Sequence, residues 1–118
     1  MGPVFYDSRA LVASVSIDVV DAAAWIYRRL PWPAQLSFAA DTTGAASSVL
    51  MTIVIGSDMQ IGPEVPLAVG GTAGVFPNQA ESFIELMGAA GDLIKILYRE
   101  TAAATPTVNT VLKLFPLI

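Results

Sequence analysis

The side chains that could do chemistry in this sequence are carboxylates, hydroxyls and aromatic rings. Its 118 residues include no histidine and no cysteine. That removes the commonest general base, the commonest zinc ligand, thiolate nucleophiles and disulfides together. Serine hydroxyls are present, but a serine nucleophile needs an adjacent base. The two lysines, Lys95 and Lys113, both fall mid-strand in the reading below, and no Ser-x-x-Lys spacing occurs. Carboxylates pair twice. Glu81 and Glu85 stand one turn apart if 79–87 is helical, and Asp18 and Asp21 flank a strand end. Such pairs can serve glycosidases or hold calcium. The alternating Asp/Asn ligands of a calcium loop are missing, and solvated surface acids account for both pairs. Gly70-Gly71-Thr72-Ala73-Gly74 and Gly88-Ala89-Ala90-Gly91-Asp92 lack the lysine of a phosphate loop and read as tight turns. The sequence points away from an enzyme and calls for no cofactor and no metal.

Aromatic residues are the remaining candidates. Trp25, Tyr27 and Trp32 cluster beside Arg28 and Arg29. Rings next to arginines can make a sugar platform, a single-strand nucleic-acid platform or a protein hot spot. Core and edge packing is the plain alternative. The formal net charge is −4 and the six basic residues are scattered, so no nucleic-acid surface is expected. Phe5 and Tyr6 near the N-terminus and Phe76 in a Pro/Gly-rich stretch complete the set. The candidate subunit contacts are Phe5, Tyr6, Trp25, Tyr27, Trp32 and Phe76.

The elements that must position these rings are strands. Residues 11–19 alternate, with Leu11, Ala13, Val15, Ile17 and Val19 opposite Ser14, Ser16 and Asp18, the period of a half-buried strand. Residues 21–24 read as a turn and 25–30 as a strand. A one- or two-turn helix capped by Asp21 is the alternative for 21–30. After Pro31-Trp32-Pro33, Ala34, Leu36, Phe38 and Ala40 share one strand face. The most apolar strand is 48–55, expected to be covered on both faces. Residues 59–78 hold Pro63, Pro66, Pro77 and four glycines, and read as a long connection with a short strand at 65–69. Loops of that length usually have a function or cover another surface, here as an arm or lid at a subunit boundary. Asn78-Gln79-Ala80-Glu81 matches a capping box, so 79–87 is either a helix or a strand over 82–87, with the strand preferred. Strands at 92–99 and 107–115 follow, and 82–87 with 92–99 suggests a hairpin.

Six to eight strands separated by turns at roughly ten-residue intervals indicate one antiparallel β-sandwich domain over residues 1–118. It should carry an N-terminal arm at about 1–9 and at most one short helix. The composition is 54% apolar and 14% charged, against roughly 25% charged in an ordinary soluble domain. No apolar run approaches the about 18 residues of a spanning helix, so no transmembrane segment is expected, and no secretory leader is recognisable. The apolar excess is better explained by burial against other copies of the chain.

The C-terminal third carries a resemblance. Phe83-Ile84-Glu85-Leu86-Met87-Gly88-Ala89-Ala90-Gly91-Asp92-Leu93-Ile94-Lys95-Ile96-Leu97-Tyr98-Arg99-Glu100 resembles the paired strands and Ala-Gly-Asp turn of small jelly-roll virion proteins of bacteriophages. Pro66-Leu67-Ala68-Val69-Gly70-Gly71 and the strand from Val108 to Phe115 fit the same outline, and the likeness covers about half the chain. It implies a jelly-roll sandwich serving as a capsid, minor capsid or decoration subunit. Such a subunit is located in the virion, with itself and other virion proteins as partners, and the family has no catalytic residues to transfer. A non-catalytic sandwich that binds carbohydrate or a receptor through Trp25, Tyr27 and Trp32 is the second expectation.

Overall fold

The structure is a computed structural model and describes residues 2–117. Among them are eight strands: β1 (Val4–Ala10), β2 (Ser16–Asp18), β3 (Ala34–Thr42), β4 (Val49–Ile55), β5 (Asp58–Pro66), β6 (Ile84–Gly88), β7 (Ile94–Glu100) and β8 (Thr107–Pro116). One four-residue helix, α1 (Val19–Ala22), and two 3-10 turns, Ile26–Arg28 and Ala80–Ser82, complete the regular structure. All strand pairs are antiparallel and form two sheets of four, ordered β1-β8-β3-β6 and β2-β7-β4-β5. The expected all-β, two-sheet architecture is present. The pairs β4–β5, β3–β6, β2–β7 and β1–β8 are the rungs of one long hairpin, with its tip at Gly56-Ser57. Successive rungs alternate between the layers.

The period-2 alternation decides which side chains meet between the sheets. Leu36 and Phe38 of β3 and Val108, Leu112 and Leu114 of β8 face Val49, Met51, Ile53 and Ile55 of β4 and Ile94, Ile96 and Tyr98 of β7, all buried. Each such side chain contributes about 1.5–3 kcal/mol on burial. The Tyr98 phenol reaches Thr110 Oγ1 at 2.7 Å, so these two buried hydroxyls satisfy each other. Gly88 sits where a Cβ would run into Leu30 Cδ1 and Ile55 Cγ2, so the end of β6 packs tightly on the core only as glycine.

Several expectations are corrected. Residues 4–10 are not an arm but edge strand β1, paired through seven residues with β8; Phe5, Asp7 and Arg9 face inward and the Phe5 ring is 4% exposed. Residues 11–19 are not one strand. Val12 and Val15 are exposed, Ser14 takes a positive φ of 58°, and only Ser16–Asp18 pairs with β7. The reason is Glu100, whose carboxylate accepts the Ser14 amide (2.9 Å) and fixes a turn where alternation alone suggests extension. Residues 25–30 are not a strand either. The cap of α1 is Asp18, not Asp21, and Asp18 Oδ1 accepts from the Val20 and Asp21 amides and from Ile96 N. Much of 59–78 is strand β5, whose glycine and prolines are tolerated because it is an edge with two register slips against β4. Residues 84–88 are a strand, but β6 and β7 lie in different sheets and make no hairpin. Leu30 N donates to Asp92 O and Gly91 N to Leu30 O, and these two bonds hold the 89–93 turn as a crossing between layers. The outer face of β4 is half-buried rather than fully covered.

Candidate functional site

The six aromatic candidates separate into two groups. Phe5, Trp25, Tyr27 and Trp32 form a chain of ring contacts with centroid separations of 5.1, 5.6 and 6.1 Å. β2 occupies the edge lane beside β7, the chain leaves that lane at Val19, and Arg29 resumes it by bridging to Leu93. The excursion between buries Val19 and Val20 and lays Trp25 on Phe5. Its aromatic residues therefore close the sandwich on its β1–β2 side, with Trp25, Tyr27 and Trp32 half-buried against the core. Its outward residue is Ile26, 78% exposed on the 3-10 turn. Tyr6 and Phe76 make a separate edge-to-face pair at 5.1 Å on the outer face of the β1-β8-β3-β6 sheet.

Phe76 belongs to a strap, residues 67–83, that folds back over that outer face. Thr42 N donates to Ala68 O and Gly71 N to Thr42 O, which start the strap along the end of β3. Asn109, fully buried on β8, fastens its middle. Its Nδ2 donates to Asp41 Oδ1 (2.8 Å) and Thr72 O (3.0 Å), and its Oδ1 accepts from Ser8 Oγ (2.7 Å) and Gly74 N (3.2 Å). Lys113 Nζ lies 4.4 Å from the centroid of the Phe83 ring where the strap ends. The outward side chains Ala39 and Val111 are buried beneath it. The Pro/Gly-rich stretch thus covers its own sheet rather than reaching elsewhere.

Edge strands β5 and β6 face each other across the mouth of the sandwich, one of several places with exposed apolar side chains, Tyr6, Val12, Val15, Ile26, Val69 and Val75 lying elsewhere. Gln60 Nε2 donates to the Met87 carbonyl at 3.1 Å and ties the two edges together. On one side of this tie a groove of about 300 Å³ is lined by Phe38, Met51, Ile61, Val65, Leu67 and Ile84. A second, more open one of about 310 Å³ lies toward Pro33, Ile55, Asp92 and Leu117. Met59, Val65, Ile84 and Met87 are exposed around the two. No family model, no curated protein and no solved structure matches this chain. The chemistry of this side must therefore be read from its own residues. Two unpaired strand edges, four exposed aliphatic side chains and shallow apolar grooves suit contact with another apolar surface.

Most of the buried polar side chains are engaged structurally, Ser48 Oγ being buried without a partner among the described residues. Arg99 forms a two-pronged ion pair with Glu64 (Nη2 to Oε2, 2.9 Å), which lowers the Glu64 pKa and raises that of Arg99. Arg9 pairs with Asp7, whose hydrogen bond raises its pKa. Glu100 accepts the backbone amides of Ser14 and Ala102, among others, which hold its carboxyl below the usual value. Burial raises the Tyr98 phenol far above its ordinary range. Among the described residues no group of three potential metal ligands converges, and no helix is long and apolar enough to cross a membrane. None of the six sequence candidates lies in either β5–β6 groove. That surface was invisible to a search for aromatics, and the one signal for it was the run of proline and glycine marking β5 as an edge.

Proposed function

We propose that this chain is a self-assembling structural subunit of jelly-roll type, a capsid or capsid-decoration protein of a bacteriophage particle. The fold part of the reading is supported by the strand pairing. The partners β1–β8, β2–β7, β3–β6 and β4–β5 in two four-stranded antiparallel sheets suit a jelly roll, which is built of eight strands in two sheets. The assembly part is carried by one observation, the open β5–β6 side with its two unpaired strand edges and exposed Met59, Val65, Ile84 and Met87. The virion assignment rests on the resemblance of the C-terminal third to phage virion proteins. Its partners on this reading are further copies of itself and other virion proteins.

Magnitudes indicate what kind of assembly. Covering the remaining half of four aliphatic side chains is worth about 1 kcal/mol each, half the lower range for full burial. Association costs at least about 4 kcal/mol in lost freedom. One such contact is therefore near break-even, and stable assembly needs several contacts per subunit, as a closed symmetric shell provides. Light scattering during size exclusion tests this: the reading requires a large species that falls apart on dilution. A carbohydrate-binding module would instead stay a single chain and change its tryptophan fluorescence with glycans. In this structure Trp25, Tyr27 and Trp32 pack on one another and on Phe5, so no observation favours that second reading.

A further inference from the structure

We infer that two copies of this chain join β1 to β1 as antiparallel neighbours, with a twofold axis at Ser8 that sets Asp7 of each copy opposite Arg9 of the other. This joint lies on the edge of its sheet opposite β6. It is a second contact, beyond the β5–β6 side of the self-assembly reading.

The hydrogen bonds show what β1 leaves open. Leu11 N donates to Pro106 O (2.8 Å) and Leu114 N to Pro3 O (3.0 Å). These residues stand directly opposite when the β1–β8 register is continued past its two ends. In an antiparallel ladder only alternate residues bond to a given neighbour. The odd-numbered residues of β1 therefore bond to β8, and the N–H and C=O of Tyr6, Ser8 and Ala10 point off the sheet. All three residues are exposed, and among the described residues no other element takes their backbone groups. The strap meets Tyr6 and Ser8 through their side chains. The other edges are blunted. β2 has three residues, β5 holds Pro63 and Pro66 with two register slips, and Gln60 takes the Met87 carbonyl of five-residue β6. β1 runs seven residues with no proline, glycine or slip, so it is the edge to which another strand can be added.

Charge selects a second copy and its register. Asp7 and Arg9 face inward and pair within the strand at 2.9 Å. An inward charge on an edge normally forbids pairing, because it meets a like charge or an apolar side chain. For the open residues of two copies to bond one another, the axis must pass through a residue of β1. At Asp7 it sets carboxylate opposite carboxylate, and at Arg9 guanidinium opposite guanidinium. At Tyr6 it sets Asp7 opposite Phe5 and lays the second strand beside Phe5, where the Trp25 ring sits at 5.1 Å. At Ser8 every charge has an opposite charge both along its strand and across the axis, with Cα atoms about 4.5 Å apart across it. One Ser8–Ser8 pair and two Tyr6–Ala10 pairs then exchange about six backbone hydrogen bonds. A twofold joint closes on itself, so growth past a dimer needs the β5–β6 side as well.

Amide exchange read residue by residue across protein concentration tests the joint. Phe5, Asp7 and Arg9 are expected to be slow throughout. Tyr6, Ser8 and Ala10 are expected to be fast when dilute and at least about tenfold slower once associated, an alternation that side-chain packing alone does not give. Ala10→Pro removes an open amide at an exposed position and puts a ring in the second strand's path, so Tyr6 and Ser8 should stay fast. Asp7→Arg and Arg9→Asp each set like charges across the axis and should leave the same amides fast. Mixed in equal amounts, the two variants restore opposite charges and should restore slow exchange. Thermal melting checks that they fold, and Ala10→Pro carries the test if they do not. A wild type that associates with fast Tyr6, Ser8 and Ala10 amides overturns the inference and leaves the self-assembly reading intact. So does an Ala10→Pro chain whose Tyr6 and Ser8 slow as in the wild type, or a mixture of folded charge variants no slower than its parts. A wild type that is a single chain at every concentration overturns both.

Discussion

Replacing Asn109 with alanine should release the strap from the sheet it covers. In the wild type the side chain is fully buried and makes four hydrogen bonds, to Asp41, Thr72, Ser8 and Gly74. Three of these partners have an alternative. Ser8 is at the surface and can bond water, Gly74 N keeps Ser8 Oγ at 3.1 Å, and the Thr72 carbonyl still accepts the Val75 amide at 2.9 Å. The fourth, the half-buried Asp41 carboxylate oxygen, is stranded. A buried group left without its partner costs about 1–3 kcal/mol, which is the expected loss if the strap stays down. Against a total stability of typically 5–15 kcal/mol this is a large loss. The alternative is local opening, in which 72–76 lifts, the stranded carboxylate finds water, and Ala39 and Val111 become exposed. Denaturant unfolding at low protein concentration measures the first outcome, and amide hydrogen exchange of Gly71 and Gly74 measures the second. Asn109→Ala should lose at least about 1 kcal/mol or speed exchange in the strap by the equivalent of about fivefold. A loss under about 0.5 kcal/mol, the scatter of an ordinary surface change, with unchanged exchange would refute the reasoning.

Other substitutions probe the remaining claims. Gly88→Ala should cost about 1–3 kcal/mol in a thermal or chemical melt, because the new methyl meets Leu30 and Ile55 in the closed core. Tyr98→Phe should cost about 1–3 kcal/mol by leaving the Thr110 hydroxyl unpaired; a neutral result would mean that the buried pair contributes nothing. In a variant carrying Tyr6→Phe and Tyr27→Phe, Tyr98 should show no phenolate absorbance at about pH 11, a unit above a free phenol, until the protein unfolds. Glu100 has a depressed folded pKa, so the stability it contributes is present above the ordinary carboxyl value of 4.5 and is lost as the pH falls below it. Glu100→Gln should therefore be less stable than wild type at neutral pH and lose less on acidification, measured as unfolding midpoints from pH 7 downward.

Much of the sandwich was legible because a strand with one buried face must alternate. Ile94, Ile96 and Tyr98 against Lys95, Leu97 and Arg99 in β7 announce both the strand and its inner face, and β3, β4 and β8 follow the same rule. The alternation of 11–19 was deceptive. Its polar positions turn the chain at Ser14 through a carboxylate 86 residues away, which no local window contains. β5 was hidden for the opposite reason. Gly62, Pro63 and Pro66 suggest a loop, yet an edge strand needs only one side of its backbone for pairing. The six candidate contacts were chosen by residue type, and none of them lines the β5–β6 grooves. Large rings signal packing volume, and here Phe5, Trp25, Tyr27 and Trp32 fill an opening in the chain's own core. Met59, Val65, Ile84 and Met87 are ordinary strand residues taken singly. They become a surface only because the pairing order brings β5 and β6, some 20 residues apart in sequence, to the same side of the sandwich.

Amide hydrogen exchange followed across a range of protein concentrations tests the central claim directly. Peptides covering Asp58–Pro66 and Ile84–Gly88 should slow as the protein associates, while the core peptide Val49–Ile55 stays constant. Association that leaves the first two peptides unchanged, or a chain that never associates, contradicts the assignment of the β5–β6 side as the surface that joins subunits.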